Sequence, residues 1–221
     1  MYYPLNLLKN DADVFPLLGN QLQGAPHIFN FTSKNPRTLD YDTTDFDDFQ
    51  SKIFDELKES GKSWGIGKYL EERSNVLRQY PQMIEEGRIY HVGLDIVVPG
   101  GYQLYAPIDA VVHEAGLDGG VGNYGGYVIL RHEFDSVTFF SIYGHLNSAH
   151  QVQAGVQLAK GQVFAEIGVR EDSGLWFTHT HLQILTEHAV NEGKMLQGYI
   201  SSADLAHVEL LFPTPYPMFR Y

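Results

Sequence analysis

From Arg88 to about Glu187 the chain breaks into short β-branched and aromatic runs separated by glycine-bearing turns, and this rhythm restricts the fold more than any other feature of its 221 residues. The runs are Ile96 to Val98, Gln103 to Tyr105, Ala110 to Glu114, Tyr127 to Arg131, Val137 to Tyr143, Gln162 to Ile167 and His181 to Leu185. Each is shorter than an ordinary helix and rich in residues that suit a pleated surface. Strands at this spacing predict a mainly β fold with an antiparallel β-sandwich or barrel-like core.

The flanking segments carry a different period. Residues 1–87 are expected to form a helical cap or arm. Asp45 or Thr44 can cap a helix in which Phe46, Phe49, Ile53, Phe54 and Leu57 share one face, ending at Gly61. A second helix is expected over Lys68 to Glu86, kinked or divided by Pro81. The β-rich domain then spans 88–190. Residues 191–221 add one short helix, Ser202 to Leu211, and the proline-rich extension Phe212-Pro-Thr-Pro-Tyr-Pro.

Fifteen basic against 27 acidic side chains give a net charge of −12. Such a chain repels phosphate backbones and anionic membrane surfaces, so neither nucleic acid nor a membrane is the expected partner. The chain has no cysteine. Disulfides, thiolate metal sites and cysteine nucleophiles are therefore absent, and any metal must be held by nitrogen and oxygen. The start, Met1-Tyr-Tyr-Pro-Leu-Asn-Leu-Leu, has neither a basic region nor an apolar run of leader length, and no later segment approaches a membrane span. A cytoplasmic protein is expected, with an exported form as the alternative.

Ten histidines are present, and position separates them. His27, His113, His132, His150, His188 and His207 read as solvated or structural. His91-Val-Gly-Leu-Asp95 opens the β domain. In a straight strand, residues four apart are about 13 Å from each other, too far to share one ion, so the backbone must bend between them, and Gly93 stands where a bend is least costly. In His179-Thr-His181, alternate strand residues face one side about 6.6 Å apart, so two imidazoles reach one cavity. One can bind a metal while the other handles a proton. Tyr143-Gly-His145-Leu closes an apolar strand and brings another histidine out at its end.

Together and in this order, these stretches resemble the lysostaphin-type zinc metallopeptidases, the peptidoglycan endopeptidase family. That family's pattern is H-x-G-x-D, an A-P-x-x-G-x-V stretch, a Y-G strand, T-x-Y-x-H-L, a G-x-x-V-x-x-G-Q turn and H-x-H. The chain shows His91 to Asp95, Ala106-Pro-Ile-Asp-Ala-Val111, Tyr124-Gly125, Ser141-Ile-Tyr-Gly-His-Leu146, Gly155 to Gln162 and His179-Thr-His181. The resemblance covers roughly residues 88 to 187. It implies a duplicated hybrid motif, one Zn2+ per chain held by His91, Asp95 and His181, and His145 and His179 as the catalytic pair beside the open fourth position. The implied reaction is attack of zinc-activated water on a peptide carbonyl.

Departures bear on the substrate. The family has leucine between the paired histidines and phenylalanine and glutamate after them, where this chain has Thr180, Leu182 and Gln183. Leu175-Trp-Phe-Thr178 precedes the motif in place of small residues, which changes the groove wall. Of the aromatic residues, Tyr124 and Trp176 are candidates to bind substrate, though packing would also account for them. The expected function is a zinc metalloendopeptidase acting on peptidoglycan, a wall-derived muropeptide or a soluble peptide. The alternative, of a different class, is a latent or non-catalytic binding module on the same scaffold, with segments of residues 1–87 over the groove.

Overall fold

The computed structural model describes residues 14–134, 136–150 and 152–221, so the leader reading at Met1 and the side chain of His150 lie outside the described residues. In chain order the strands are β1 (His27–Ile28), β2 (Gly65–Gly67), β3 (Tyr90–His91), β4 (Leu94–Val97), β5 (Gln103–Tyr105), β6 (Ala110–Asp118), β7 (Gly125–Phe134), β8 (Val137–Leu146), β9 (Gln157–Leu158), β10 (Val163–Glu166), β11 (Thr180–Thr186) and β12 (Tyr199–Ile200). The helices are α1 (Phe46–Glu59), α2 (Ser74–Leu77), α3 (Pro81–Glu85), α4 (Glu187–Asn191) and α5 (Val208–Leu211). Among the described residues no helix is long and apolar enough to cross a membrane.

Eight strands form one sheet in the order β1-β2-β4-β11-β8-β7-β6-β9, antiparallel except for β1 with β2. Two small ribbons, β5 with β10 and β3 with β12, complete the β structure. The sheet is open, so the mainly β expectation is met by a layered, sandwich-like core and not by a closed barrel. Alternation explains its two faces. Leu94, Ile96, Val128, Leu130, Leu182 and Ile184 point into one apolar cluster. Tyr127, Ile129, Ile142 and Leu185 point into another on the opposite face, under α4 and α5. Because both faces are covered, the central strands read as near-continuous apolar runs.

The first long helix forms as its sequence predicts. The Asp45 side chain accepts from the amides of Asp47 and Asp48, and Gly61 ends the segment at φ +69°. Its buried Phe49, Ile53 and Leu57 pack with Phe29, Phe31, Tyr41, Trp176 and Phe177. The helix expected over 68–86 does not form as one unit. Residues 70–73 pair instead with the strand carrying His91: Leu70 N donates to His91 O at 2.7 Å, His91 N to Glu71 O at 3.0 Å and Arg73 N to Ile89 O at 2.8 Å. Only α2 and α3 remain helical, and Pro81 stands in the first turn of α3, where its missing N–H is not needed. The C-terminal helix is likewise shorter than expected, with a 3-10 turn over Leu205–His207 leading into α5.

His132 on β7 is fully buried. Its Nδ1 donates to the Asp109 carbonyl at 3.1 Å, so the neutral Nε2 accepts from the Ser141 hydroxyl at 2.7 Å. Burial pushes its pKa down to about 4. The folded state therefore binds a proton less readily than the unfolded chain, whose histidine titrates near 6.5. Stability from this site is complete above about pH 6.5 and drains away as pH falls toward about 4, a loss of roughly 3 kcal/mol. Urea unfolding of the chelator-treated protein between pH 7.5 and pH 4 is expected to show this loss, and His132→Phe to flatten that acid limb by about one proton.

Candidate metal centre and its groove

The site begins where one stretch of chain changes partners. β3 pairs with β12 while β4, two residues on, pairs with β2 and β11, so the chain bends through Val92 and Gly93. His91 and Asp95 are thereby folded toward each other, with His91 Nε2 at 3.2 Å from Asp95 Oδ1. Gly93 is required by close approach: a β-carbon there would overlap the His181 ring and stand 2.9 Å from the Leu182 carbonyl oxygen. On β11, His181 lies directly across from Asp95 on one side and Gly144 on the other. Its Nδ1 is 3.0 Å from His91 Nε2 and 3.2 Å from Asp95 Oδ1.

These three atoms form a triangle with edges of 3.0, 3.2 and 3.2 Å. Three ligands about 2.0–2.1 Å from one tetrahedral zinc stand about 3.3 Å apart, so the donor set fits such an ion. Neighbouring groups orient the lone pairs as well. The Lys68 carbonyl accepts from His91 Nδ1 at 3.3 Å, leaving Nε2 unprotonated toward the centre. Gln183 Nε2 donates to the Gln197 carbonyl at 3.1 Å, which turns Gln183 Oε1 toward His181 Nε2 at 3.0 Å. The Tyr124 hydroxyl donates to the same Oε1 at 2.8 Å. His181 is thus set in the tautomer that bears its proton on Nε2 and presents a free Nδ1.

Arg73 grips the other carboxylate oxygen, with Nη1 at 2.6 Å from Asp95 Oδ2. Burial alone would raise the Asp95 carboxyl, but His91, Arg73 and His179 reverse the sign and hold it well below the usual carboxylate range. His91 is pushed down to about 3 by burial and by the Arg73 charge. With that ring neutral, the permanent charge acting on Asp95 is the guanidinium. A neutral imidazole and an ionised carboxylate are the forms that bind a divalent ion.

Two further histidines stand beside the triangle. His145 occupies the left-handed region at φ +60°, an uncommon and strained conformation for a residue with a β-carbon, and its amide donates to Tyr124 O at 2.8 Å. Its Nδ1 donates to the Ser173 carbonyl at 3.0 Å, so Nε2 is free. Burial, then His179 and His181, hold its pKa well below the ordinary value. His179 precedes β11, donates from Nδ1 to the Phe177 carbonyl at 2.7 Å and lies 4.2 Å, ring to ring, from His145. With Nδ1 of each ring committed to a carbonyl, Nε2 is the nitrogen left to each for a further partner.

All seven residues singled out from sequence, His91, Asp95, Tyr124, His145, Trp176, His179 and His181, line one cavity of about 420 Å3. Trp176 stacks on Tyr80 of the N-terminal segment at 5.6 Å, which makes it part of the wall. Arg73, Tyr80 and Tyr199 also line the cavity and were not found from sequence. Arg73 lies in a stretch that reads as helix, and nothing local distinguishes it from a solvated charge. Gln183 was visible only as a departure from a pattern, without its role.

Residues 89–193 match the family model described as Peptidase family M23. Similar solved structures include a zinc containing peptidase from Vibrio cholerae, 26% identical over 44% of this chain and 28% of that one, with a TM-score of 0.37. A peptidase M23 structure from Pseudomonas aeruginosa is 26% identical over 42% of this chain and 37% of that one, at 0.33. The catalytic domain of lysostaphin from Staphylococcus simulans is 26% identical over 44% and 68%, at 0.36. The chain thus spans little more than a third or less of the first two proteins. No curated protein matches it.

Gly93→Ala is expected to displace the His181 ring and abolish uptake of a divalent ion, while the far-ultraviolet circular dichroism keeps its β character. Elemental mass spectrometry of the metal-equilibrated variant checks this.

Proposed function

We propose that this chain, whose residues 89–193 belong to peptidase family M23, is a zinc-dependent peptidase that cleaves a peptide bond in a short peptide, soluble or derived from the cell wall. The observation that carries this reading is the convergence of His91 Nε2, Asp95 Oδ1 and His181 Nδ1 on one point, with the rings of two further histidines, His145 and His179, beside it. His91, Asp95 and His181 would hold one Zn2+, which supplies a Lewis acid that polarises a carbonyl and acidifies water.

The chain's own groups divide the proton work. His145 is buried and crowded by two imidazoles, so it resists protonation. Its Nε2 serves as a hydrogen-bond acceptor that orients the attacking water. His179 Nε2, 3.5 Å from Asp95 Oδ1, takes the proton and returns it to the leaving amine. The Tyr124 ring packs edge-on against His181 at 5.1 Å and lines the same cavity.

Substrate size follows from the walls. The five site side chains are each at most 5% exposed although they line an open cavity. Tyr80 stacks on Trp176 and lies so close to Gly122 that a β-carbon there would be 2.6 Å from its ring. The N-terminal segment thus meets the loop between β6 and β7 and narrows the groove. A short peptide or a chain end fits this better than a cross-linked polymer. The same burial favours the second reading, a latent form in which this contact shuts the site.

Elemental mass spectrometry is expected to find one zinc per chain in the wild type and none in His181→Ala; absence of metal from both after zinc addition would overturn the peptidase reading. His145→Ala and His179→Ala are expected to keep the metal and lose about 10²- to 10⁴-fold in kcat toward a cleaved peptide. Wild type that binds zinc but cleaves nothing, together with an active Tyr80→Ala, would establish the latent form instead.

A further inference from the structure

We propose that Arg73, backed by Glu71, is a positioning residue of the metal centre: it occupies Asp95 Oδ2 so that the carboxylate presents Oδ1 alone to the ion. This rests on the reading that His91, Asp95 and His181 hold the metal. It places part of the centre in residues 65–73, outside the segment 89–193 that matches the family model.

The guanidinium is built in from four directions. Nη1 bonds Asp95 Oδ2 at 2.6 Å and lies 3.4 Å from the Tyr199 hydroxyl, while Nη2 bonds Glu71 Oε2 at 3.1 Å. The Phe31 ring lies against its flat face at 4.8 Å. Gly67 is directly across from Asp95 on the neighbouring strand β2. A β-carbon at Gly67 would stand 2.8 Å from Arg73 Nη2, so the missing side chain is what leaves the guanidinium room. Arg73, Glu71 and Asp95 are 3%, 5% and 2% exposed. Backbone hydrogen bonds from Leu70, Arg73 and His91 zip this segment to the strand that carries His91. The forked contact is one a lysine cannot copy, because a planar guanidinium holds two carboxylates at fixed angles and an ammonium is a point charge.

The consequence concerns coordination. With Oδ2 occupied, Asp95 offers one oxygen and the protein supplies three ligands, leaving an open position as catalytic zinc sites require. With Oδ2 released, the carboxylate can turn or chelate through both oxygens. Partners of this kind around metal ligands are worth about 10- to 100-fold in affinity.

The test uses the full chain loaded with Co2+, whose visible absorption is intense when four-coordinate and falls as coordination number rises. Arg73→Lys keeps a cation between the two buried carboxylates, and Gly67→Ala keeps every charged group but crowds Nη2. Both are expected to weaken the visible Co2+ bands several-fold and to raise the zinc Kd, measured by chelator competition, about 10- to 100-fold. A role confined to folding would lower the melting temperature equally with and without metal and leave the bands and Kd unchanged, which would overturn the inference. Failure of the underlying reading looks different: wild-type Co2+ bands that persist in His181→Ala would place the ion elsewhere.

Discussion

The antiparallel register of β4, β11 and β8 is the constraint on which the site depends. It sets His181 across from Asp95 and Gly144, and the strand's alternation then sends Leu182 and Ile184 into the core while His181 faces the cavity and Gln183, buried on the same side of the strand, hydrogen-bonds its ring. A slip of one residue would put two imidazole-and-amide side chains into the apolar layer and expose the leucine and isoleucine. Because each face of the sheet is buried under its own cluster, such a slip is strongly opposed. The apolar packing therefore holds the polar geometry in place, although it touches the site at few points.

The polar interior bears a cost that only mutual pairing offsets. Charges at this depth are tolerated when each oxygen and N–H finds a partner. Asp95 Oδ2 is satisfied by Arg73, whereas Oδ1 faces the lone pairs of His91 Nε2 and His181 Nδ1, three acceptors that a cation between them would satisfy. Where the network thins, Arg73 Nε is buried without a hydrogen-bond partner, and Glu71 Oε1 meets the Lys68 ammonium at 3.6 Å without a hydrogen bond. An ion that binds the folded chain and not the unfolded one would shift the folding equilibrium in its favour by mass action. Binding energy at the centre and stability of the fold are thus one quantity seen from two sides.

The N-terminal segment joins both levels of this organisation. Its strands β1 and β2 extend the main sheet, its helix α1 covers the aromatic layer beside Trp176, and Tyr80 and Arg73 reach the cavity. Wall, sheet edge and the contact to Asp95 come from one stretch of chain, so a change in its docking would alter the opening of the cavity and the geometry of the His91–Asp95–His181 triangle together.

Much of this was legible from residue order. The glycine-punctuated runs announced the strands, Asp45 and Gly61 marked the ends of α1, and the three histidine-bearing motifs named the side chains that meet in the cavity. Those signals are local: a period of two, a cap, a spacing. Residues 68–86 misled because their helical pattern is equally local, whereas Leu70, Glu71 and Arg73 are held by hydrogen bonds to a strand about 20 residues further on. Gly93 could be read as a bend, but its actual cause is the ring of His181, distant in sequence. The sequence by itself determined which side chains could bind an ion and which runs would pair. Only the tertiary structure decided that Arg73 would share Asp95 and that Gln183 would set the tautomer of His181, because both depend on distances between elements that no spacing along the chain encodes.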